Sequence, residues 1–255
     1  MRRDDSRVEL DPEQARAADH GLKGMIPVGR PFLDYVLSAL GDAGLTDVCL
    51  VIGPEHHSVR ERYTSGVRLS RLRIQFAVQE EPRGTAGAVA AARDVTGDSP
   101  FLALNADNYY PADALRLLTQ VDGAGLVGFE RDALLAGSNI PADRLRRFAL
   151  VDTDDDGYLR EIIEKPDDVT YDRLIARSLI SMNLWAFTPV IFEACARVAP
   201  SARGEYVLQD TVGIARSELG QRFRVIRCSS GVLDLSTRGD VAAVAARLAG
   251  VDVRL

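Results

Sequence analysis

Lysine is almost absent from this chain: of 31 basic residues only Lys23 and Lys165 are lysines. Arginine carries the rest, so a position that keeps lysine is one that suits a compact ammonium rather than a planar fork. Cysteine is scarce too, and Cys49, Cys195 and Cys228 stand apart without CxxC pairing or neighbouring histidines. That excludes a disulfide framework and a zinc ligand set, and reads as reduced core thiols in a cytoplasmic protein. No run reaches the ~20 consecutive apolar residues of a membrane span, and the first thirty residues are polar, with acids at Asp4, Asp5, Glu9, Asp11 and Glu13. Neither a membrane nor a transit leader is expected. A basic cluster is missing as well, and the formal net charge is −6 over 255 residues. Nucleic acid is therefore not an expected partner, since that affinity comes from Lys and Arg on phosphates. Any phosphate chemistry has to be local. His56 and His57 show no partner pattern and carry no role.

At 46% hydrophobic and 27% charged, the chain suits one globular domain with ample core, expected over 1–255. Residues Pro31 to Ala43 set Leu33, Val36, Leu37 and Leu40 at the i, i+3, i+4, i+7 spacing of a core-facing helix. Val48 to Ile52 is a short apolar run closed by Gly53-Pro54, which reads as a buried parallel strand. Leu72, Ile74, Phe76 and Val78 alternate with Arg71, Arg73, Gln75 and Ala77, as a strand with one polar face does. An Ala-rich helix from Thr85 to Arg93, an apolar run at Phe101 to Asn105 and a helix at Ala112 to Thr119 continue the alternation. This order predicts an α/β fold, Rossmann-like, with a mixed and mainly parallel sheet flanked by helices. The second half departs from it. Arg147 to Asp152 and Tyr158 to Glu164 flank Asp154, Asp155, Asp156 and Gly157, which predicts a small antiparallel insertion. A strand at Ser178 to Phe187, a helix at Pro189 to Val198, a strand at Phe223 to Cys228 and a helix ending at Leu248 follow.

In open α/β sheets ligands bind beyond the carboxyl ends of the strands. After Val78 come Gln79 and then Gly84 and Thr85, which open a helix and offer backbone N–H groups to an anionic or polar ligand. Asp107 follows the 101–105 run and Asp234 follows Leu233. Two such aspartates brought together hold Mg2+ between phosphates, since that ion takes one or two carboxylates plus substrate oxygens. Taken singly, each equally suits a cap, of the turn before Pro111 or of the last helix. Glu164, Lys165 and Pro166 follow the hairpin and present an ammonium to an oxyanion. Asn183 suits backbone hydrogen bonding as well as a ligand, and Trp185 suits the core or a pocket wall.

Together these segments resemble the sugar-phosphate nucleotidylyltransferases, the family of glucose-1-phosphate thymidylyl- and uridylyltransferases and mannose-1-phosphate guanylyltransferases. The resemblance runs from Leu22 to Leu248. LKGMIPVGRPFLDYVLSALGDA at Leu22 to Ala43 resembles the family's P-K-x-x-x-P-V-x-G-x-P block, with Lys23 at the phosphate-binding lysine. Gln79 with Gly84, Thr85 and Ala86 resembles the segment that reads the base, and Leu104 to Asn108 the L-x-G-D-N that puts Asp107 on the metal. Glu164-Lys165-Pro166 matches E-K-P, where lysine meets the sugar phosphate. Ser181 to Phe187, Gly204-Glu205 with Asp210, and Leu233 to Thr237 resemble the sugar-binding strand, the G-E-x-x-L-x-D stretch and the D-x-G-T of the second metal aspartate. The chain's two lysines fall on the family's two phosphate lysines. What the resemblance implies is transfer of a nucleotidyl group from an NTP, UTP or dTTP before GTP, to a sugar 1-phosphate with release of pyrophosphate, in a protein compatible with homo-oligomer formation. Asp107 and Asp234 are then expected on Mg2+, Lys23, Gln79, Gly84 and Thr85 on the nucleotide, and Asn108, Glu164, Lys165, Asn183, Trp185 and Glu205 on the acceptor.

The chain departs from the family pattern in three places. Members open with a strand and a Gly-rich loop, L-A-A-G-x-G-T-R, whose amides cradle the triphosphate, whereas Asp11, Pro12, Glu13 and Gln14 precede Lys23 here. Proline lacks the N–H and the acids repel polyphosphate. Met1, Arg2 and Arg3 resemble the residues directly after that loop, so Met1 is expected to be an internal methionine and 4–20 an insertion or flexible segment. The strand central to the resembled sheet is then missing, with Val8 to Leu10 a partial substitute, and lowered stability and nucleotide affinity are expected. Ala149 replaces a glycine beside the sugar, and Leu184-Trp185 replace small residues, adding bulk to that pocket. The alternative is a protein of the same fold that binds a sugar nucleotide or a partner subunit without turnover. The retained Asp107, Asp234, Lys23 and Lys165 favour the enzyme.

Overall fold

The computed structural model describes residues 10–19 and 21–255. Met1 to Arg3 and Val8, which carry the expectations about the start of the chain, lie outside the described residues. Within the expected 4–20 insertion the chain forms helix α1 (Pro12–Asp19). It is docked on the body: Ala18 is buried and Gln14 Nε2 donates to the Pro27 carbonyl at 2.8 Å. Then follow α2 (Phe32–Asp42), β1 (Asp47–Ile52), α3 (His57–Glu61), β2 (Arg73–Val78), α4 (Thr85–Ala91), α5 (Arg93–Thr96), β3 (Phe101–Leu104) and β4 (Asn108–Tyr109). Next come α6 (Ala112–Thr119), β5 (Ala124–Phe129), α7 (Arg131–Gly137), α8 (Ala142–Leu145), and the expected hairpin of β6 (Leu150–Thr153) and β7 (Leu159–Ile163). The order ends with α9 (Asp168–Leu174), β8 (Leu179–Phe187), α10 (Val190–Arg197), α11 (Leu208–Ser217), β9 (Phe223–Cys228), β10 (Leu233–Asp234) and α12 (Asp240–Leu248).

Strand β8 organises the main sheet. On one flank its first residues pair antiparallel with β6 and its last with β3, while β5 lies along the other flank and carries β9 parallel beyond it. Between those two ends the β5/β8 register shifts. Leu126 faces Trp185 but Gly128 faces Ser181, so Met182, Asn183 and Leu184 bulge opposite Val127 alone. Asn183 has φ +56 there, a left-handed conformation that asparagine tolerates better than most residues. The mixed, helix-flanked α/β sheet with an antiparallel region is thus the fold observed. Local pattern did not reveal that Phe101–Leu104 takes β8 as its antiparallel partner.

Side chains on the two faces of the sheet feed two cores. One holds α2, α6 and α12, with Leu184 inside it; the other holds α4, α10 and α11 around Trp185, Phe187 and Phe223. Leu184 and Trp185 are both 0% exposed. Trp185 stacks on Phe187 at 5.7 Å and meets Phe223 edge-on at 6.3 Å. Their bulk therefore fills core and not the acceptor pocket, which corrects the expectation that Trp185 touches a substrate. Cys228 is buried and all three cysteines are free thiols. Burial pushes the Cys195 thiol to about 11 and also raises Cys49, so neither supplies a nucleophile near neutral pH. Among the described residues no helix is long and apolar enough to cross a membrane.

The expected amphipathic stripe of α2 is buried on every side from Phe32 to Leu40. The chain's last residues cover its outer face, where Arg254 N–H donates to Ser38 Oγ and Ser70 N–H to the Leu255 carbonyl. Burial leaves Asp34, 1% exposed, in need of a counter-charge. Arg62 grips it with Nε at 3.1 Å and Nη2 at 2.5 Å, and the Tyr63 hydroxyl donates at 2.8 Å. Removing the carboxylate strands the guanidinium, so Asp34→Ala is expected to cost about 3 kcal/mol, read from the urea midpoint.

Parallel strands β1 and β2 form a sheet of their own, and no hydrogen-bonded ladder joins β1 to β3 among the described residues. One core nevertheless runs beneath both, through Leu50 and Ile52 on one side and Leu102 and Leu104 on the other. The carbonyls of Thr46 and Ile52 accept from Arg73 and Gln79. By strand alternation Val48 and Leu50 also face β2, while the backbone of Cys49 and Val51 points away from it, to an edge that no other strand pairs among the described residues. In hydrogen exchange followed by NMR, the Cys49 and Val51 amides are expected to exchange at least about tenfold faster than Leu50 and Ile52. Equal protection would mean that this edge is paired.

Candidate active site

The chemistry gathers past the end of β3. There the short ladder of β4 with β10 sets Asn108 opposite Asp234, and the Leu235 N–H donates to the Asp107 carbonyl at 2.9 Å. The two aspartates that the sequence sets far apart thus become neighbours. Lys23 opens a helical turn laid against this strand end, and its Nζ meets Asp107 Oδ2 at 2.7 Å. Both side chains of that pair remain about a quarter exposed, 28% and 24%. Asp234 is different: it is 3% exposed. Burial pushes its carboxyl above the usual range and Asp107 adds to the rise, while hydrogen bonds from Ser236 and Asn108 and the charge of Arg144 oppose it.

Asn108 is 3% exposed and its amide donates to Asp234 Oδ2 at 3.0 Å. It braces a carboxylate from within the core, which corrects its expected place on the acceptor. Behind Asp234 stands a set of residues that sequence reasoning missed. Asn139 clamps its backbone in both directions, at 2.8 Å each way. Arg144 lies 3.3 Å from Oδ1 and binds both oxygens of Asp240 at 2.7 and 2.9 Å. Asp240 also accepts from Thr237 N–H and Oγ1. The spacing T-x-x-D at the start of the last helix resembles a capping box and was a readable signal for Asp240. Nothing in the sequence pairs Asn139 or Arg144 with it.

Tyr110, also missed, is 1% exposed and donates to the Met182 carbonyl at 2.5 Å. It ties the strand carrying the aspartates to the β8 bulge, where Gln209 Nε2 of α11 donates to Asn183 Oδ1 at 3.0 Å. Asn183 and Lys165, with φ +56 and +45, are the two described non-glycine residues of positive φ. Strain of this kind persists where surrounding structure enforces it, and it concentrates at binding sites. Lys165 is exposed beside Glu164. The surrounding protein raises the Glu164 carboxyl, with Asp210 adding to the rise and Lys165 opposing it.

Gln79 Nε2 donates to the Gly84 carbonyl at 3.0 Å, and Gln79 lines a hollow of about 310 Å³ with Glu80, Arg83 and Gly87. Gly84 has φ +95, and a Cβ there would stand 2.7 Å from the Tyr206 carbonyl. Only glycine lets the Glu205 segment come this close. The Ala86 N–H donates to Tyr206 and Thr85 Oγ1 accepts from Leu208 N–H at 3.0 Å. Thr85 Oγ1 and the Ala86 N–H thus help to fasten α11 to α4, while Thr85 itself stays exposed. Glu205 is exposed, with its Cβ against Gly84. A larger cavity of about 620 Å³ between β7 and α11 is lined by Glu161, Gln209 and Asp210 but by none of Lys23, Asp107, Lys165 and Asp234. Chemistry, not size, marks the site.

Among the described residues no cluster of three or more His, Cys, Asp or Glu could enclose a metal ion. Two carboxylates remain, and Asp234 Oδ1 is a buried oxygen without a hydrogen-bond partner. That donor set fits Mg2+, which completes its octahedron with phosphate oxygens and water, and it does not fit a closed all-protein site.

The sequence model described as nucleotidyl transferase matches residues 21–229. The low-salt glycan biosynthesis nucleotidyltransferase Agl11 of Haloferax volcanii is 26% identical over 197 residues, 75% of this chain and 50% of that protein. The UTP–glucose-1-phosphate uridylyltransferase AglF of the same organism is 28% identical over 216 residues, 84% of this chain and 82% of its own. A glucose-1-phosphate thymidylyltransferase of Streptomyces griseus is 29% identical over 191 residues, 74% of this chain and 50% of that one. The chain thus spans half the length of two of these relatives. In three dimensions a UDP-glucose pyrophosphorylase complexed with UDP-glucose superposes with a TM-score of 0.69 over 89% of this chain and 90% of that one, at 15% identity. A match of this extent, on a fold of this likeness, settles the kinship: the chain belongs to the nucleotidyl transferase family.

Proposed function

We propose that the chain transfers a nucleotidyl group from an NTP to a sugar 1-phosphate, giving an NDP-sugar and pyrophosphate. The observation that carries this reading is the pairing of Lys23, Asp107 and Asp234 at one strand end, with Asp234 Oδ1 left unspent. An oxygen of the acceptor phosphate attacks the α-phosphorus in line, the bond to the β-phosphate oxygen breaks, and pyrophosphate leaves. Such a transfer needs positioning and charge neutralisation more than covalent help. Asp107 and Asp234 would hold Mg2+, which neutralises developing charge on the phosphate oxygens. Lys23, on a flexible stem and partly exposed, moves from Asp107 to the nucleotide phosphates. Gln79 faces the base from its hollow, Lys165 meets the acceptor phosphate, and Asn183, held by Gln209, orients the sugar with Glu164 and Glu205 nearby. The uridylyl- and thymidylyltransferase relatives favour UTP or dTTP. No observation favours a binder without turnover.

Pyrophosphate release measured with Mg2+ across UTP, dTTP and GTP and a panel of sugar 1-phosphates is expected to require one nucleotide and one acceptor together. Asp107→Ala is expected to lower it by about a hundredfold or more. Silence across the whole panel would sink the proposal. The bulge gives a second expectation. Asn183→Gly keeps the left-handed backbone and removes the amide, so acceptor KM rises about tenfold with little change in melting temperature. Asn183→Val puts a branched side chain at positive φ and is expected to lose about 1–3 kcal/mol of stability as well.

A further inference from the structure

Each carboxylate of the site already has a cation beside it, and the two cations are held in opposite ways. Lys23 sits on Asp107 at 2.7 Å with its side chain 28% exposed, at the end of a flexible stem. Arg144 stands against Asp234 at 3.3 Å with its side chain 17% exposed. Its Nη1 is spent on both oxygens of Asp240, which Thr237 and Asn139 fix in turn. Lys23 can leave; Arg144 is anchored from behind. Moreover, Arg144 Nη2 and Asp234 Oδ1 each lack a hydrogen-bond partner although they are close. Their attraction is that of two charges without directed bonding, so Oδ1 of the carboxylate has no hydrogen-bond partner while its charge is compensated. Counting Asp240, three carboxylates face two cations. Only one negative charge is left for an arriving ion.

We infer that Arg144 is a fixed counter-cation of Asp234, a positioning residue that keeps the carboxylate pair from capturing a free divalent cation, so that the metal enters on the nucleotide phosphates. The inference rests on the reading of Asp107 and Asp234 as metal carboxylates. A divalent ion at Asp234 must lie within a few ångströms of a guanidinium that cannot retreat, and the repulsion lowers its affinity. A metal already carried by a triphosphate brings its own negative charge and also draws Lys23 away from Asp107. The carboxylate pair then binds a complex that it rejects as a bare ion. Arg144 touches neither substrate nor reacting atom in this arrangement, and it acts through Asp234.

Mn2+ alone is the probe, titrated into the 255-residue chain and followed by the electron paramagnetic resonance of the free aqueous ion. Arg144→Gln and Arg144→Met, which delete the charge, are expected to bind Mn2+ about tenfold more tightly than the unchanged chain. Arg144→Lys, which restores a cation in the same place, is expected to bind as weakly as the unchanged chain does. Far-ultraviolet dichroism and melting curves establish which variants are folded, and either charge-deleting variant suffices. Equal or weaker Mn2+ binding in a folded charge-deleting variant would overturn the inference, as would Arg144→Lys behaving like Arg144→Gln. Because no nucleotide is present, absence of turnover in the pyrophosphate assay sinks the proposed function and leaves this outcome standing.

Discussion

The bulge in β8 is the constraint on which the arrangement depends. The strand serves β6 at one end and β3 at the other along the same flank, and its register with β5 shifts between those ends at Met182, Asn183 and Leu184. Two consequences follow from a single backbone irregularity. The Met182 carbonyl, freed from the ladder, becomes the acceptor for buried Tyr110, and Asn183 at φ +56 turns its amide to Gln209 of α11. Leu184 and Trp185 then go to opposite cores. A local break in pairing thereby ties the aspartate-bearing strand end, α11 and both hydrophobic layers together.

Around that frame the site is a problem of buried charge. Asp234 has too little water to stay ionised at low cost, and the structure answers with an amide on one oxygen, a guanidinium opposite the other and a clamp on its backbone. Asp34 meets the same need far from the site with a bidentate guanidinium and a phenol. At Asp34 both oxygens are spent, as suits a carboxylate that only holds α2 in place, whereas at Asp234 one oxygen is left without a hydrogen bond. Both carboxylates are buried, and what separates them is the Asp234 oxygen without a hydrogen-bond partner.

Much of the fold was legible in the chain. The stripe of Leu33, Val36, Leu37 and Leu40, the alternation through Val78 and the acidic turn at Asp154 to Gly157 are periodic signals of the helix, strand and hairpin that form there. The strand-end positions of the candidate residues were legible for the same reason, and the fold brings Lys23, Asp107 and Asp234 together. Other readings failed because residue type does not say where a side chain points. Asn108 and Thr85 carry polar groups suited to a ligand, yet the Asn108 amide is bonded to Asp234 and the Thr85 hydroxyl accepts from Leu208 N–H, and Trp185 is buried in a core. Arg144 is one of many arginines in a lysine-poor chain and could not be singled out by sequence.

The sequence by itself determined the elements, the strand-end positions of the candidate ligands and the rarity that marks Lys23 and Lys165, because these depend on spacing and residue type along a single chain. Tertiary structure alone decided which carboxylate is buried, which cation opposes it and where a strand must break register. These are properties of contacts between residues about a hundred positions apart, such as Asn139 and Asp234 or Arg144 and Asp240. Charge compensation falls off with distance in space and is indifferent to distance along the chain. No periodicity encodes it, and only the folded arrangement of β4, β10 and α8 brings those charges together.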